Sequence, residues 1–230
     1  MSRFVLRAID PATASIDSEA SFHASDVGEL CGLAGIDPSE YRANGVYDLD
    51  ATAVRNVTER YGIAFDPHST DATLAPWHPI DDLPYQVHTN RELALMLAGK
   101  KPLAAFSERY PCGEDEGSII PEGVFNSHVE SGRIIRREHI SAPNDKSSNA
   151  KEQRFGTRRV LYALPGEEWR IEAYLLLWKT AETAGWGEGF ERLEGSLLGY
   201  EDWQNDAYIE WQKKRNRAAE NAGRPNRSQR

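Results

Sequence analysis

The chain lacks the sequence motifs that carry most familiar enzyme chemistry. Its 230 residues include only two cysteines, Cys31 and Cys112, and these form no CxxC pair of the kind that binds metals or transfers electrons. None of the six histidines stands in the HxH or HExxH spacing of a zinc site. Glycine-rich phosphate loops and the GxSxG turn of serine hydrolases are missing as well. We therefore expect no metal, no cofactor and no disulfide, and we favour a protein that is not an enzyme.

Long apolar segments are also missing. The longest nearly apolar run, Ala173 to Trp178, is far shorter than the roughly 20 residues that cross a bilayer as a helix. The N-terminal segment MSRFVLRAIDPATAS lacks the apolar stretch and the small-residue cleavage site of a secretory signal. These features predict no membrane partner and a cytoplasmic location, where cysteines stay reduced.

Charge is unevenly distributed along the chain. Acidic residues outnumber basic ones, 36 to 27, which gives a net charge of −9. The exception is segment 213–230, which holds seven basic residues and one acidic residue. An acidic body repels nucleic-acid phosphates and favours a basic partner surface. For the basic tail, composition favours a solubilising role over a weak contact with nucleic acid.

Hydrophobic periodicity and turn residues predict an α+β fold of small antiparallel sheets covered by helices. We place a first domain at residues 1–75, a proline-rich linker at 76–87, a second domain at 88–212 and a basic, disordered tail at 213–230, with a fraying helix end as the alternative for its last dozen residues.

The first domain is predicted to contain a hairpin followed by two helices. The strands are placed at 4–9 and 16–22. The first helix begins at Ser25 or Asp26 and ends at Gly35. The second begins at Asp50 or Thr52 and ends at Gly62.

The second domain is predicted to mix strands and helices. Thr89 caps its first helix, and the alternation from Gly123 to Ile140 predicts two strands around a turn at Ser131-Gly132. A strand and three helices follow, at 159–164, 167–184, 188–198 and 202–212. The helix at 167–184 is apolar nearly all round over Tyr174 to Trp178, which predicts a central buried helix.

Acidic and aromatic side chains are concentrated in the last two predicted helices. Such a mixture suits a recognition surface, because carboxylates steer a partner and large aromatic rings anchor it. The alternative is a helical core whose outer face is solvated by acids, since aromatic residues at helical spacing are usually core. The candidate partner-binding residues are Glu191, Glu194, Glu201, Asp202, Trp203, Asp206 and Tyr208.

Arginines form the second candidate group. Arg136, Arg137, Arg158 and Arg159 fall in the predicted strands of the second domain. They are suited to binding an anion such as phosphate. The alternative is internal pairing with glutamates, which is favoured because acids outnumber bases in this domain.

One segment resembles a known family. FVLRAIDPATASIDSE, then ELCGL, then VYDLDATAVRNVTERYGIAFDP, within residues 3–67, resemble a small bacterial family of unknown function found near polymorphic toxin and immunity genes. The resemblance implies a bacterial cytoplasmic protein and favours inhibitory binding.

These observations favour an immunity-type protein that binds and inhibits a basic toxin domain. An acidic inhibitor would imitate the charge of the nucleic acid that many basic toxins attack. Two alternatives remain open: an enzyme acting on a small phosphorylated or nucleotide-like ligand, and a regulatory or structural component of a prophage or defence system.

Overall fold

Two antiparallel sheets, each packed against helices, organise the chain. The computed structural model describes residues 1–42, 45–65, 72–83, 88, 90–111, 118–142 and 155–222. The chain divides into two units, one of Met1–Asp82 with Asn90–Ala94 and one of Leu83–Thr89 with Leu95–Arg230. The α+β class predicted from the sequence is confirmed.

The first unit is a four-stranded sheet with two helices. Its elements are β1 (Ser2–Asp10), β2 (Ser15–Ala24), α1 (Val27–Ala34), β3 (Tyr47–Leu49), α2 (Ala51–Tyr61), β4 (Ala72–Pro76) and a short 3₁₀ turn (Pro79–Asp82). The strands pair in the order β2-β1-β4-β3, antiparallel throughout.

The core of this unit lies between the sheet and the two helices. On β1 the alternate residues Phe4 and Leu6 are buried against Val54 and Val57 of α2. The side chains of Asp26 and Asp50 cap α1 and α2, and the left-handed residues Gly35 and Gly62 follow them, as the sequence predicts.

A strand that was not predicted from the sequence lies at the boundary between the first predicted domain and the predicted linker. Residues 72–76 form β4, which pairs with β1 on one side and β3 on the other. Ala72 and Leu74 point to the buried side, and Pro76 stands at the strand's end, where a missing N–H is tolerated.

The second unit is a three-stranded sheet with helices on both faces. After α3 (Glu92–Leu97), the elements are β5 (Leu103–Tyr110), α4 (Glu122–Glu130), β6 (Ile135–Ser141), β7 (Gly156–Ala163), α5 (Trp169–Ala184), α6 (Glu188–Leu198) and α7 (Asp202–Ala222). The strand order is β5-β7-β6, antiparallel, so β7 is central.

Alternate residues of β7 serve the two faces. Tyr162 stacks on Phe125 of α4, with ring centroids 4.0 Å apart. Leu161 packs with Ile171 of α5 and Leu197 of α6 on the opposite face. The central strand therefore has a core on each side.

Residues 122–130 contradict the prediction of two strands between Gly123 and Ile140. They form α4, and only the second predicted strand exists, as β6. Phe125, His128 and Val129 are spaced as one face of a helix, and Phe125 is fully buried. Gly132, with φ +71°, follows the helix end instead of joining two strands.

Three further predictions need correction. The last helix does not end at Gln212 before a disordered tail but continues to Ala222. Helix α5 is not buried all round, because Leu176 is 64% exposed. The first helix of the second predicted domain begins at Glu92, while its predicted cap, Thr89, lies outside the described residues.

Candidate functional site

The turn between α6 and α7 positions the candidate partner-binding surface. Gly199 adopts a left-handed conformation with φ +90°, and the N–H groups of Gly199 and Tyr200 close the end of α6. Glu201 then caps α7, because its carbonyl accepts the first helical hydrogen bonds. The Gln204 side chain accepts from the Glu201 N–H at 2.8 Å, which completes a reciprocal cap.

Trp203 stands on the surface at the first turn of α7. It is 54% exposed, and its Nε1 donates to the Glu201 carboxylate at 2.5 Å. Asp202, the preceding residue, is exposed as well. The Glu201 bond orients the indole, so a partner would meet an ordered ring flanked by two carboxylates.

Asp206 lies one turn further along α7 and is exposed, but it is not a free charge. Arg192 of α6 donates to Asp206 at 2.5 Å and to Glu188 at 3.2 Å. Glu188 also pairs with Lys213 at 2.5 Å. These contacts neutralise part of the acidic surface that the sequence predicts and tie α6 to α7.

Glu191 and Tyr208 are only partly exposed. Glu191 accepts from Trp186 Nε1 at 2.6 Å and from Gln212 Nε2 at 3.1 Å. The same Gln212 side chain donates to the Tyr208 hydroxyl at 2.8 Å. Glu191 therefore joins α6 to α7 through Gln212, while the Tyr208 hydroxyl is bonded within α7.

Glu194 contradicts the prediction of an exposed acidic residue. Its carboxylate is turned towards α5, where it accepts from the Tyr174 hydroxyl at 2.9 Å and from Trp178 Nε1 at 3.3 Å. Burial raises the pKa of Glu194 above its ordinary value. The structure thus brings Glu201, Asp202, Trp203 and Asp206 together on the surface, and we call these four residues the α7 surface.

The four arginines of the predicted anion site do not form one site. Arg158 donates to Glu108 and to Glu122, each at 2.8 Å, and Arg136 contacts Glu122 and Glu138, each at 2.6 Å. Hydrogen bonds from Arg158 and then from Arg136 lower the pKa of Glu138. These two arginines are already neutralised on the α4 face of the sheet.

The other two arginines lie on the opposite face. Strand register pairs Arg137 of β6 with Leu161, and His139 with Arg159. Arg137 is exposed and lies 3.7 Å from Glu172 of α5. Arg159 is buried and stacks on Trp178, 4.6 Å from the ring centroid. Because side chains alternate along a strand, four arginines close in sequence divide between two faces.

Two exposed apolar side chains on α5 were not predicted from the sequence. Trp169 is 56% exposed and Leu176 is 64% exposed. The continuous apolar run from Tyr174 to Trp178 gives no sequence signal that would distinguish the exposed leucine from its buried neighbours.

Other kinds of site find little support in the described part of the chain. No group of three or more His, Cys, Asp or Glu residues there is arranged to hold a metal ion. No helix in those ranges is both long and apolar enough to span a bilayer. Cys31 is a buried free thiol whose pKa is raised by burial. Cys112 lies outside the described residues, and the prediction that the chain has no disulfide therefore lies outside them as well.

Comparison of the chain with protein-family models, with curated proteins and with solved structures finds no match. The family resemblance of residues 3–67 therefore stays a prediction.

Proposed function

We propose that the chain is a binding protein, and most concretely an immunity-type inhibitor of a basic bacterial toxin domain in the cytoplasm. The observation that carries the proposal is the α7 surface: a half-exposed Trp203, oriented by Glu201 and followed by Asp206 one turn along. Exposed tryptophans are common energetic anchors of protein interfaces.

Charge supports a basic partner. The chain carries a net charge of −9, and Asp202 and Glu201 flank the exposed ring. Attraction between an acidic and a basic surface raises the association rate and disfavours acidic competitors. Arg192 neutralises part of the charge of Asp206. Glu201 and Asp202 would therefore be the main charges that steer a partner.

Trp203 and Trp169 provide a matched pair for the test. They are 54% and 56% exposed, so replacing either by alanine removes a similar exposed ring. Only Trp203 belongs to the α7 surface. A shared loss of function would therefore indicate a general effect of losing a tryptophan, and a selective loss would implicate the α7 surface.

The experiment is a growth assay in which this chain is expressed together with the toxin domain encoded by a neighbouring gene. We expect the chain to restore growth, Trp203→Ala to lose protection, and Trp169→Ala to keep it. A hot-spot tryptophan contributes roughly 2 kcal/mol or more to binding, which is enough to weaken protection. A neighbourhood without a toxin gene, or growth that the intact chain does not restore, would contradict the proposal.

A further inference from the structure

A cavity of about 430 Å³ lies in the second unit, between strands β6 and β7 and the exposed side of α5. Its sheet wall includes His139 and Arg159, and its helix wall includes Leu175, Leu176 and Trp178. The volume falls within the range of small-molecule sites. The helix wall combines these apolar side chains with the charged residues Glu172, Lys179 and Glu182, and the sheet wall carries the Arg159 guanidinium, so the cavity offers both apolar and ionic contacts to a small ligand.

Arg159 is the unusual member of this wall. It is only 7% exposed, and its Nε has no hydrogen-bond partner. Within the described ranges no carboxylate approaches it as an ion pair, although Arg158, next to it in sequence, contacts three glutamates. The Trp178 ring compensates part of this buried charge but accepts no hydrogen bond from the buried Nε, so an anionic ligand in the cavity would complete the contacts of the guanidinium.

The charges around the cavity leave room for an anion. Glu172 is held by Arg137 at 3.7 Å, and Lys179 adds an exposed ammonium group beside Leu176. Glu182 lines the rim and is exposed to solvent. Glu194 accepts a hydrogen bond from Trp178 Nε1. Burial raises the pKa of Glu194, and the charge of Arg159 acts in the opposite direction although the two residues form no ion pair in the described ranges.

We propose that this cavity binds a small organic anion, a carboxylate or phosphate ester attached to an apolar group. The Arg159 guanidinium would receive the anionic oxygens, since its planar fork matches both groups. Leu175, Leu176 and the edge of Trp178 would cover the apolar part. This site is separate from the α7 surface, and the inference does not rest on the proposed toxin binding.

The test is isothermal titration of the full chain in a chloride buffer with four probes: phenyl phosphate, benzoate, inorganic phosphate and benzamidine. Phenyl phosphate and benzoate share an apolar ring and an anion, so we expect both to bind at one site per chain. Inorganic phosphate lacks the ring and should bind more weakly. Benzamidine carries the same ring with the opposite charge and should not bind.

Three variants then locate the site. Arg159→Gln should weaken phenyl phosphate binding by about tenfold or more, because a charged hydrogen bond is lost. Arg133→Gln removes the same charge from an exposed turn that does not line the cavity, and should bind as the intact chain does. Leu176→Ser should weaken phenyl phosphate and leave inorganic phosphate unchanged.

Thermal melting in the absence of probe supplies a second readout. Arg159→Gln removes a buried charge that makes no ion pair in the described ranges, which should offset the loss of its stacking contact with Trp178 and leave the melting temperature unchanged or raised. If it unfolds instead, Leu176→Ser, altered at an exposed position, still tests the site. Equal binding of benzamidine and phenyl phosphate, binding of neither anion, or unchanged binding by Arg159→Gln or Leu176→Ser would overturn the proposal.

Discussion

Arg158 and Arg159 are neighbours in the chain but have opposite environments. Arg158 lies among Glu108, Glu122 and Glu138, and its hydrogen bonds to these carboxylates raise its own pKa. Arg159 faces Trp178 and a cavity instead. The sequence predicts that adjacent strand residues face opposite sides. It does not predict which side of the sheet carries the glutamates. Glu122 belongs to helix α4, in a segment where the alternation of apolar and polar residues predicted a strand.

His88 is a residue whose protonation should affect stability. Its ring stacks on Tyr200 with centroids 4.2 Å apart, and Lys101 Nζ lies 3.3 Å from its Nδ1. Burial, and then the charge of Lys101, lower the pKa of His88 from 6.5 to about 4. Between these two values the unfolded chain binds more protons than the folded one. The free energy of unfolding should therefore fall as the pH is lowered from about 6.5 towards 4.

Urea unfolding of the intact chain and of His88→Phe, across this pH range, measures the effect. Phenylalanine keeps a ring against Tyr200 but does not titrate. Each pKa unit corresponds to about 1.4 kcal/mol, so the stability difference between the two proteins should change by up to roughly 3 kcal/mol. The comparison between proteins matters because Glu194, whose pKa is raised by burial, contributes the opposite slope. A difference that does not change with pH would contradict a neutral, buried His88.

At the scale of elements, the contact between α6 and α7 depends on Gly195. A Cβ atom at this position would collide with Oδ1 of Asn205, which is buried on α7. Close packing of the two helices therefore requires glycine at this position.

Gly195→Ala should destabilise the protein, and Gly189→Ala on the same helix is its control. Overpacking of a close contact costs roughly 1–3 kcal/mol. A Cβ at Gly189 meets no atom within 4 Å, so alanine there should be neutral or stabilising through helix propensity. Chemical unfolding of both variants measures the difference. Equal stabilities would show that α7 can move away from α6 without loss.

Some elements follow from the sequence and others depend on the tertiary structure. Helices α1 and α2 were predicted because their start and end signals are local. Asp26 and Asp50 accept hydrogen bonds from backbone N–H groups in the first turns, and the left-handed residues Gly35 and Gly62 end the helices. Strand β4 was missed because its five residues lie among prolines and are defined by pairing with β1 and β3, which are distant in sequence. Local signals thus predicted the capped helices, whereas long-range pairing determined β4.

At the scale of the whole molecule, the excess of acidic residues is the feature that favours a basic partner. The net charge of −9 was read from the sequence, as was the concentration of acids near Trp203. The sequence does not predict which of those acidic side chains are exposed in the folded protein. Glu194 and Asp206 are both acidic residues of the last two helices, yet Glu194 bonds to Tyr174 and Trp178 while Asp206 bonds to Arg192.

We propose that exposed carboxylates steer a basic partner and that Trp203 anchors it. The most direct measurement is of the association and dissociation rates of the chain with a toxin domain encoded by a neighbouring gene, at several salt concentrations. Salt should slow association, because charge attraction is screened over about 8 Å at physiological ionic strength, and should change dissociation little. Trp203→Ala should dissociate about tenfold faster or more, with an unchanged melting temperature, while Trp169→Ala dissociates as the intact chain does. Equal dissociation rates for the two variants, or an association rate indifferent to salt, would contradict the account.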